Sequence, residues 1–263
     1  MAILGNRISF RRNTITIEAL TKKGVAEMRL CIKFTADQLD VPIGYNAGIQ
    51  AYLYSCLSPA DGTMYHDGSD TNHSAKPFTF SNIIGKYSIE HKRMIFDGQC
   101  RIYVASSDLN FLNQIYTTIS ETNIISLYGT FIPVDQVTPQ SEKTANGAET
   151  YNTLSPICVF LKSPSGRSIA LSPKDQEFTD LLKEGLLRKY YDIYGSEYEM
   201  PLNIYHYTNV KKMVCAYKKA NYEAYRCSFQ VLASSMMHEI ILDTGIGMRN
   251  AAGFGMVEKV NKH

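Results

Sequence analysis

The hydrophobic pattern begins at Met28. From there Met28-Arg29-Leu30-Cys31-Ile32-Lys33-Phe34 alternates with the two-residue period of a half-buried strand. Residues 1–27 show no sustained period and are set aside as a leader expected to pack loosely. Over 44–57 the spacing turns helical, with Ile49, Leu53, Cys56 and Leu57 on one stripe. Phe78-Thr79-Phe80 and Tyr87-Ser88-Ile89 read as strands, followed by a pair around Met94-Ile95-Phe96 and Cys100–Val104. Asp97-Gly98 between that pair is a hairpin signal, because both residues tolerate positive φ. Ser107 or Asp108 can cap a helix whose face is Leu109, Leu112, Ile115, Tyr116 and Ile119, and a further strand is expected through Ile124–Ile132.

The pattern lapses over 135–150, a stretch rich in Thr, Ser, Asn, Gly and Gln, so a connector is placed at 139–150 between units 28–138 and 151–263. It then restarts with a strand at Leu154–Leu161 and a helix start at Ser172-Pro173-Lys174-Asp175, with Ser capping and Pro first in the helix. The face of that helix is Phe178, Leu182, Leu186 and Tyr190. Strands are expected at Tyr198–Tyr207, Val210–Tyr217 and Tyr222–Leu232, then a short helix from Ser234, a glycine-rich turn and a closing strand at Phe254–Val260. The second half repeats the element order of the first. The expected fold class is α+β, two tandem ferredoxin-like (βαββαβ) domains.

Composition, at 44% hydrophobic and 20% charged residues, is that of a folded chain, and no apolar run reaches membrane length. Six cysteines without CxxC spacing, most in apolar stretches, read as buried thiols in a reducing cytosol, which makes the protein cytoplasmic. A net charge of +2 is too small for a generally basic domain. Residues 1–27 hold five basic against two acidic side chains, so any basic surface on the body must be local. One candidate is 205–226, where Lys211, Lys212, Lys218, Lys219 and Arg226 alternate with Tyr205, Tyr207, Tyr217, Tyr222 and Tyr225. It reads either as a phosphate-tracking strip with stacking rings or as the solvated face of a hairpin.

Two features carry chemistry. Gly245-Ile246-Gly247-Met248-Arg249-Asn250-Ala251-Ala252-Gly253-Phe254-Gly255 lies between a helix and the last strand, the wrong order for a dinucleotide-binding turn, and lacks the Gly-Lys-Ser/Thr ending of a triphosphate loop. Its glycines could let backbone N–H groups face a phosphate with Arg249 beside them, or could serve only a helix C-cap at Gly245 and a tight return. The second is Tyr54, Tyr65-His66-Asp67 and Lys76-Pro77-Phe78-Thr79-Phe80-Ser81. Metal-free RNA scission needs a base for the 2′-OH, an acid for the leaving 5′ oxygen and a cation for the phosphorane. His66 can fill either proton-transfer role, Lys76 suits the cation, and Tyr54 can orient or donate; His73 is a rival in the same loop.

The Gly253-Phe254-Gly255-Met256-Val257 turn, the Tyr65-His66-Asp67 loop running into Lys76–Ser81, and Leu154-Ser155-Pro156-Ile157 together resemble the CRISPR-associated repeat-RNA-processing endoribonucleases of the repeat-associated (RAMP) superfamily. The similarity runs from about Met28 to Val260. It implies a metal-independent endoribonuclease that cuts precursor CRISPR RNA within its repeats by 2′-OH attack on the adjacent phosphate, leaving a cyclic phosphate, with no cofactor. It implies Tyr54, His66 and Lys76 as the catalytic set, and Lys211, Lys212, Gly245, Gly247, Arg249, Gly253 and Gly255 as RNA-binding. The competing reading is a non-catalytic RNA-binding subunit of a CRISPR effector complex, against which His66 speaks. Docking to such a complex and pairing with a second copy both stay open. A small-molecule enzyme is disfavoured by the lack of a metal cluster, nucleotide loop or partnered nucleophile.

Overall fold

The structure is a computed structural model that describes residues 28–62, 76–163 and 168–260. Two antiparallel sheets carry the fold. The first contains β1 (Arg29–Pro42), β2 (Phe78–Phe80), β3 (Ile84–Glu90), β4 (Arg93–Ser106), β5 (Ile124–Leu127) and β6 (Thr130–Gln140), in the order β2-β4-β1-β6-β5 with β3 also on β4. Helices α1 (Asn46–Ser55) and α2 (Leu109–Thr122) pack on it. The second contains β7 (Gly147–Thr153), β10 (Asn203–Tyr217), β11 (Ala220–Ala233) and β12 (Val257–Lys259), ordered β10-β11-β7-β12. Its helices are α3 (Gln176–Tyr194) and α4 (Ser235–Thr244), and a hairpin of β8 (Phe160–Lys162) and β9 (Ser168–Ala170) is inserted before α3. Each sheet has the first strand of its unit between the last two of a βαββαβ order, the ferredoxin-like arrangement expected from the element order.

Local sequence explains the elements. In β1, Leu30, Ile32, Phe34 and Ala36 face the core; Gln38, at φ +49°, sits in a bulge that shifts the parity, so Leu39 and Val41 point inward beyond it. Asp108 caps α2, its carboxylate accepting from the amides of Asn110 and Phe111, and Phe111, Leu112, Ile115 and Ile119 are buried. On α3 the buried positions are Phe178, Leu182, Leu186 and Lys189, with Tyr190 partly buried.

Several expectations are corrected. Asp97-Gly98 is no hairpin turn: β4 runs through it, and Gly98 pairs with Ala36 where β1 bulges, using its positive φ there. The turn is His91-Lys92, both residues left-handed, between β3 and β4. Ile124–Ile132 is likewise two strands, folded at Tyr128-Gly129. Strands occupy both ends of the expected connector, leaving 141–146 between the sheets. The opening strand of the second sheet is the polar Gly147–Thr153, in which Tyr151 alone is fully buried, while Leu154–Val159 forms a buried, mostly non-strand passage. Ser172–Asp175 is a turn before α3: the Asp175 carboxylate accepts from the Ser172 amide and hydroxyl, and Pro173 precedes the helix. One strand, β10, spans most of two expected ones, with register shifts on either side of Thr208 near the left-handed His206 and Asn209. The leader, 1–27, lies outside the described residues. All six cysteines are free and five are buried.

The sheets are joined by polar side chains. Arg29, 5% exposed, pairs with Glu142 at 2.5 Å and donates to the carbonyls of Leu242 and Val257 at 3.3 and 2.7 Å. Arg226 on β11 donates to Asn82 at 2.9 Å, and Asn82 donates to Asn46 on α1 at 3.2 Å.

Candidate active site

One flank of α1 carries polar residues at four-residue spacing, Asn46, Gln50 and Tyr54, and helical periodicity stacks them along the side facing the second unit. Asn46 donates to the carbonyls of Ala252 and Gly253, and Gln50 donates to that of Ala251 at 2.6 Å while accepting from the Tyr217 hydroxyl. Tyr54 packs edge-on against Phe78 and receives a hydrogen bond from Lys76 Nζ at 3.1 Å. The lysine also lies 5.2 Å from the centre of the Tyr54 ring. Lys76 is held from its C-terminal side, because the Pro77 carbonyl accepts from the Ser107 amide and the Ser106 hydroxyl. Burial pushes the Tyr54 phenol above its ordinary range, so it stays protonated at neutral pH and can donate.

The glycine-rich turn leaves α4 and returns to β12. Four of its glycines have positive φ, and each lies against its neighbours: a Cβ at Gly245 would meet Asn250 and Gly255, one at Gly247 Ile157 and Cys158, one at Gly253 the Phe80 ring, and one at Gly255 the Ile246 carbonyl at 1.8 Å. The amides of Gly245, Gly253 and Gly255 are spent within the protein, on Ile241, Asn250 and Pro156. These three glycines therefore shape the turn. Between them, the amides of Gly247, Arg249, Asn250 and Ala251 meet no acceptor among the described residues. Asn250 pins the base, donating to the carbonyls of Ile246 and Phe254. Arg249 is left-handed at φ +59° and lays its guanidinium over the Tyr222 ring at 4.4 Å.

The two parts meet in a cleft of about 330 Å³ lined by Lys76, by Gly247–Ala251, and by Leu181, Glu184, Gly185, Arg188 and Lys189 of α3. Its charged lining is Lys76, Arg188, Lys189 and Arg249 against Glu184. The cleft is thus strongly cationic in a chain whose net charge is only +2. No group of three or more His, Cys, Asp or Glu arranged to hold a metal occurs among the described residues.

The expected set divides as follows. Tyr54, Lys76, Gly247 and Arg249 come together at or beside this cleft. His66 and its rival His73 lie outside the described residues. Lys211 and Lys212 are exposed on β10 and do not line the cleft, and Lys212 is paired with Glu223 at 2.6 Å. None of the five tyrosines of 205–226 is fully exposed: Tyr207 and Tyr225 pack in the second core, and Tyr217 and Tyr222 pack around Phe254. The strip is therefore a packed hairpin with a basic edge rather than a row of open stacking rings. Sequence reasoning missed Gln50, Arg188, Lys189 and Asn250. For Lys189 a signal was present, since it falls in phase with Leu182 and Leu186 on an otherwise apolar stripe.

Residues 138–259 match the family model described as CRISPR associated protein Cas6, C-terminal. Over 121 residues the chain is 32% identical to the CRISPR-associated endoribonuclease Cas6 of Pyrococcus furiosus, a match covering 44% of this chain and 43% of the relative, less than half of either protein. Likeness in fold extends further. A structure titled as a characterisation of a Cas6-related gene from Pyrococcus furiosus superposes with a TM-score of 0.77 at 22% identity, over 90% of this chain and 99% of that one. A second, titled as a RAMP protein binding different RNA substrates, gives 0.77 at 21% identity over 89% and 100%.

Proposed function

We propose, from the match of residues 138–259 to the Cas6 C-terminal family model, that this protein is an endoribonuclease that cuts precursor CRISPR RNA within its repeats, by attack of a 2′-OH on the adjacent phosphate. The observation that carries the reading is the placement of Lys76 and Tyr54, 3.1 Å apart, in and beside a cationic cleft lined by Gly247–Ala251 of the glycine-rich turn. An RNA phosphate there would meet N–H donors and Arg249 on one side and Lys76 on the other.

In this mechanism the scissile phosphate enters between Lys76 and Gly247–Ala251. Lys76 neutralises the negative charge that grows on the phosphorane, a role its ammonium performs without proton transfer. The Tyr54 hydroxyl accepts from Lys76 and so orients its ammonium, and it keeps its own proton to donate. His66, which precedes Lys76 in the chain, takes the 2′-OH proton as base, while the protonated Tyr54 hydroxyl supplies one to the departing 5′ oxygen. Cleavage then leaves a 2′,3′-cyclic phosphate and a 5′-hydroxyl. Each step is covered by side chains of this chain, so the proposed reaction proceeds without a metal. Lys211 and Lys212 extend the basic surface along β10 for more distant phosphates.

The test is incubation of the purified protein with end-labelled CRISPR repeat RNA from its own genome in excess EDTA, beside His66→Ala and Lys76→Ala. One discrete cut, lost in His66→Ala and strongly slowed in Lys76→Ala, supports the proposal. Tight binding without any cut by the wild type would favour an RNA-binding subunit of an effector complex instead.

A further inference from the structure

Lys189 is 5% exposed and has no carboxylate within salt-bridge distance among the described residues. Its Nζ donates to three neutral oxygens: the carbonyls of Thr244 and Gly245 at 3.1 and 2.7 Å and Asn250 Oδ1 at 2.7 Å. Burying a lone ammonium is costly, and the cost is tolerated where the acceptors would otherwise be left without donors. Here the acceptors matter. Thr244 and Gly245 are the C-terminal end of α4, where helix carbonyls run out of partners and the dipole is negative. Asn250 is the residue whose amide group fixes both ends of the glycine-rich turn. Lys189 therefore ties the end of α4 to the base of the turn, beside the arc 247–251 that lines the cleft.

We infer that Lys189 is a proton-dependent latch for that arc: its ammonium holds Gly247–Ala251 in the shape that receives an RNA phosphate, and the neutral amine releases it. An ammonium has three N–H groups for three oxygens; an amine has two, and its lone pair must face an oxygen. Burial, with the neighbouring Arg188, brings the Lys189 pKa down to about 7, where the count changes near neutrality. The charged groups around it are Arg188 and Glu184 on its own helix and Lys76 and Arg249 across the cleft. Asp243, next to Thr244, interacts instead with Arg29, Glu239 and Glu142. This inference rests on the cleft being the RNA site proposed above.

Lys189 is a positioning residue, and stability and binding should separate. A Lys whose folded pKa is depressed binds fewer protons folded than unfolded between about 7 and the unfolded value, so the fold gains stability as pH rises through that window. RNA affinity should move the other way. The experiment uses the full chain and repeat RNA in which 2′-fluoro replaces every 2′-OH, so that no cleavage intervenes. Affinity and melting temperature are read from pH 6.5 to 8.5 for wild type, Lys189→Met and Lys189→Arg. Wild-type affinity is expected to weaken by up to about tenfold over this range while its melting temperature holds or rises. Lys189→Met should bind weakly at every pH with a flattened profile, and Lys189→Arg should keep affinity with the pH dependence removed. In parallel, amide NMR of the free wild type should show Gly247–Ala251 shifting with one midpoint near that of a ¹³Cε-labelled Lys189. Matching pH profiles in wild type and Lys189→Met, or arc amides insensitive to the lysine titration, would overturn the latch. Because the NMR arm needs no RNA, failure of the RNA-processing reading and failure of the latch are distinguishable.

Discussion

Substituting Gly255 by Ala should be the most damaging single-methyl change in the glycine-rich turn, and its cost can be worked out. Gly255 adopts φ +69°, and an added Cβ would lie 1.8 Å from the Ile246 carbonyl oxygen and 2.9 Å from Asn250 Nδ2. The left-handed conformation costs an alanine about 1–2 kcal/mol. No Cβ tolerates a backbone oxygen at that separation, so the two sides of the turn must part, straining the Ile246 amide to Gly255 carbonyl bond of 2.8 Å at about 1 kcal/mol. Displacing the Asn250 contacts adds a similar amount, for a total of about 3–4 kcal/mol. For a chain of this size that is roughly a 10 °C fall in melting temperature. Gly98→Ala is the internal control: Gly98 has φ +78° but no atom within 4 Å of the added methyl, so it should lose only the conformational cost, about 1–2 kcal/mol. Circular-dichroism melts of the two variants beside wild type make the comparison. Equal shifts for Gly255→Ala and Gly98→Ala would refute the close-approach argument.

Lys76→Met should slow RNA cleavage by about 100-fold or more while leaving RNA affinity within a few-fold, as single-turnover rates and filter binding would report; a parallel loss in both would mean that Lys76 only binds. Arg29→Met leaves Glu142 without its buried partner and two carbonyls without donors, so it should cost about 3–5 kcal/mol, read in denaturant unfolding, and split the transition into two as the sheets uncouple. Asp243, held protonated by burial with a pKa raised to about 8, binds more protons folded than unfolded between about 4 and 8, so its contribution to stability is lost as pH rises through that window. Asp243→Asn should therefore flatten the decline in melting temperature from pH 5 to 6.5, below the window in which Lys189 offsets it; an unchanged slope would contradict the assignment.

Legibility in the sequence tracked how local the cause was. The stripes of α1, α2 and α3 came through because burial on one face writes itself at helical spacing in Ile49-Leu53, Leu112-Ile115-Ile119 and Phe178-Leu182-Leu186. Turns were harder, because Asp97-Gly98 and His91-Lys92 compete for one hairpin, and which pair turns depends on the β1 bulge opposite Gly98, a contact 62 residues away in sequence. Strand β7 hid behind its composition: with Tyr151 as its one fully buried residue, its strand character comes from pairing with β11 and β12, which no window of the chain contains. At the site, Tyr54, Lys76, Gly247 and Arg249 were found as residue types with suitable chemistry. Their meeting, and the supporting work of Gln50, Lys189 and Asn250, depends on how the two sheets face one another. The glycines illustrate the limit: their demand for positive φ was readable, but that Gly245, Gly253 and Gly255 spend their amides inside the protein was not.

The central claim is that a 2′-OH attacks its own adjacent phosphate in the cleft between Lys76 and Arg249. The most direct test maps the cut in repeat RNA, replaces the one nucleotide 5′ to it by its 2′-deoxy form, and determines the end groups of the native products by mass spectrometry, all in EDTA. The account predicts a cyclic phosphate or its 3′-phosphate product on one fragment, a 5′-hydroxyl on the other, and no cut in the deoxy substrate at undiminished binding. Cleavage of the deoxy substrate at the same position, or a 5′-phosphate product, would contradict it.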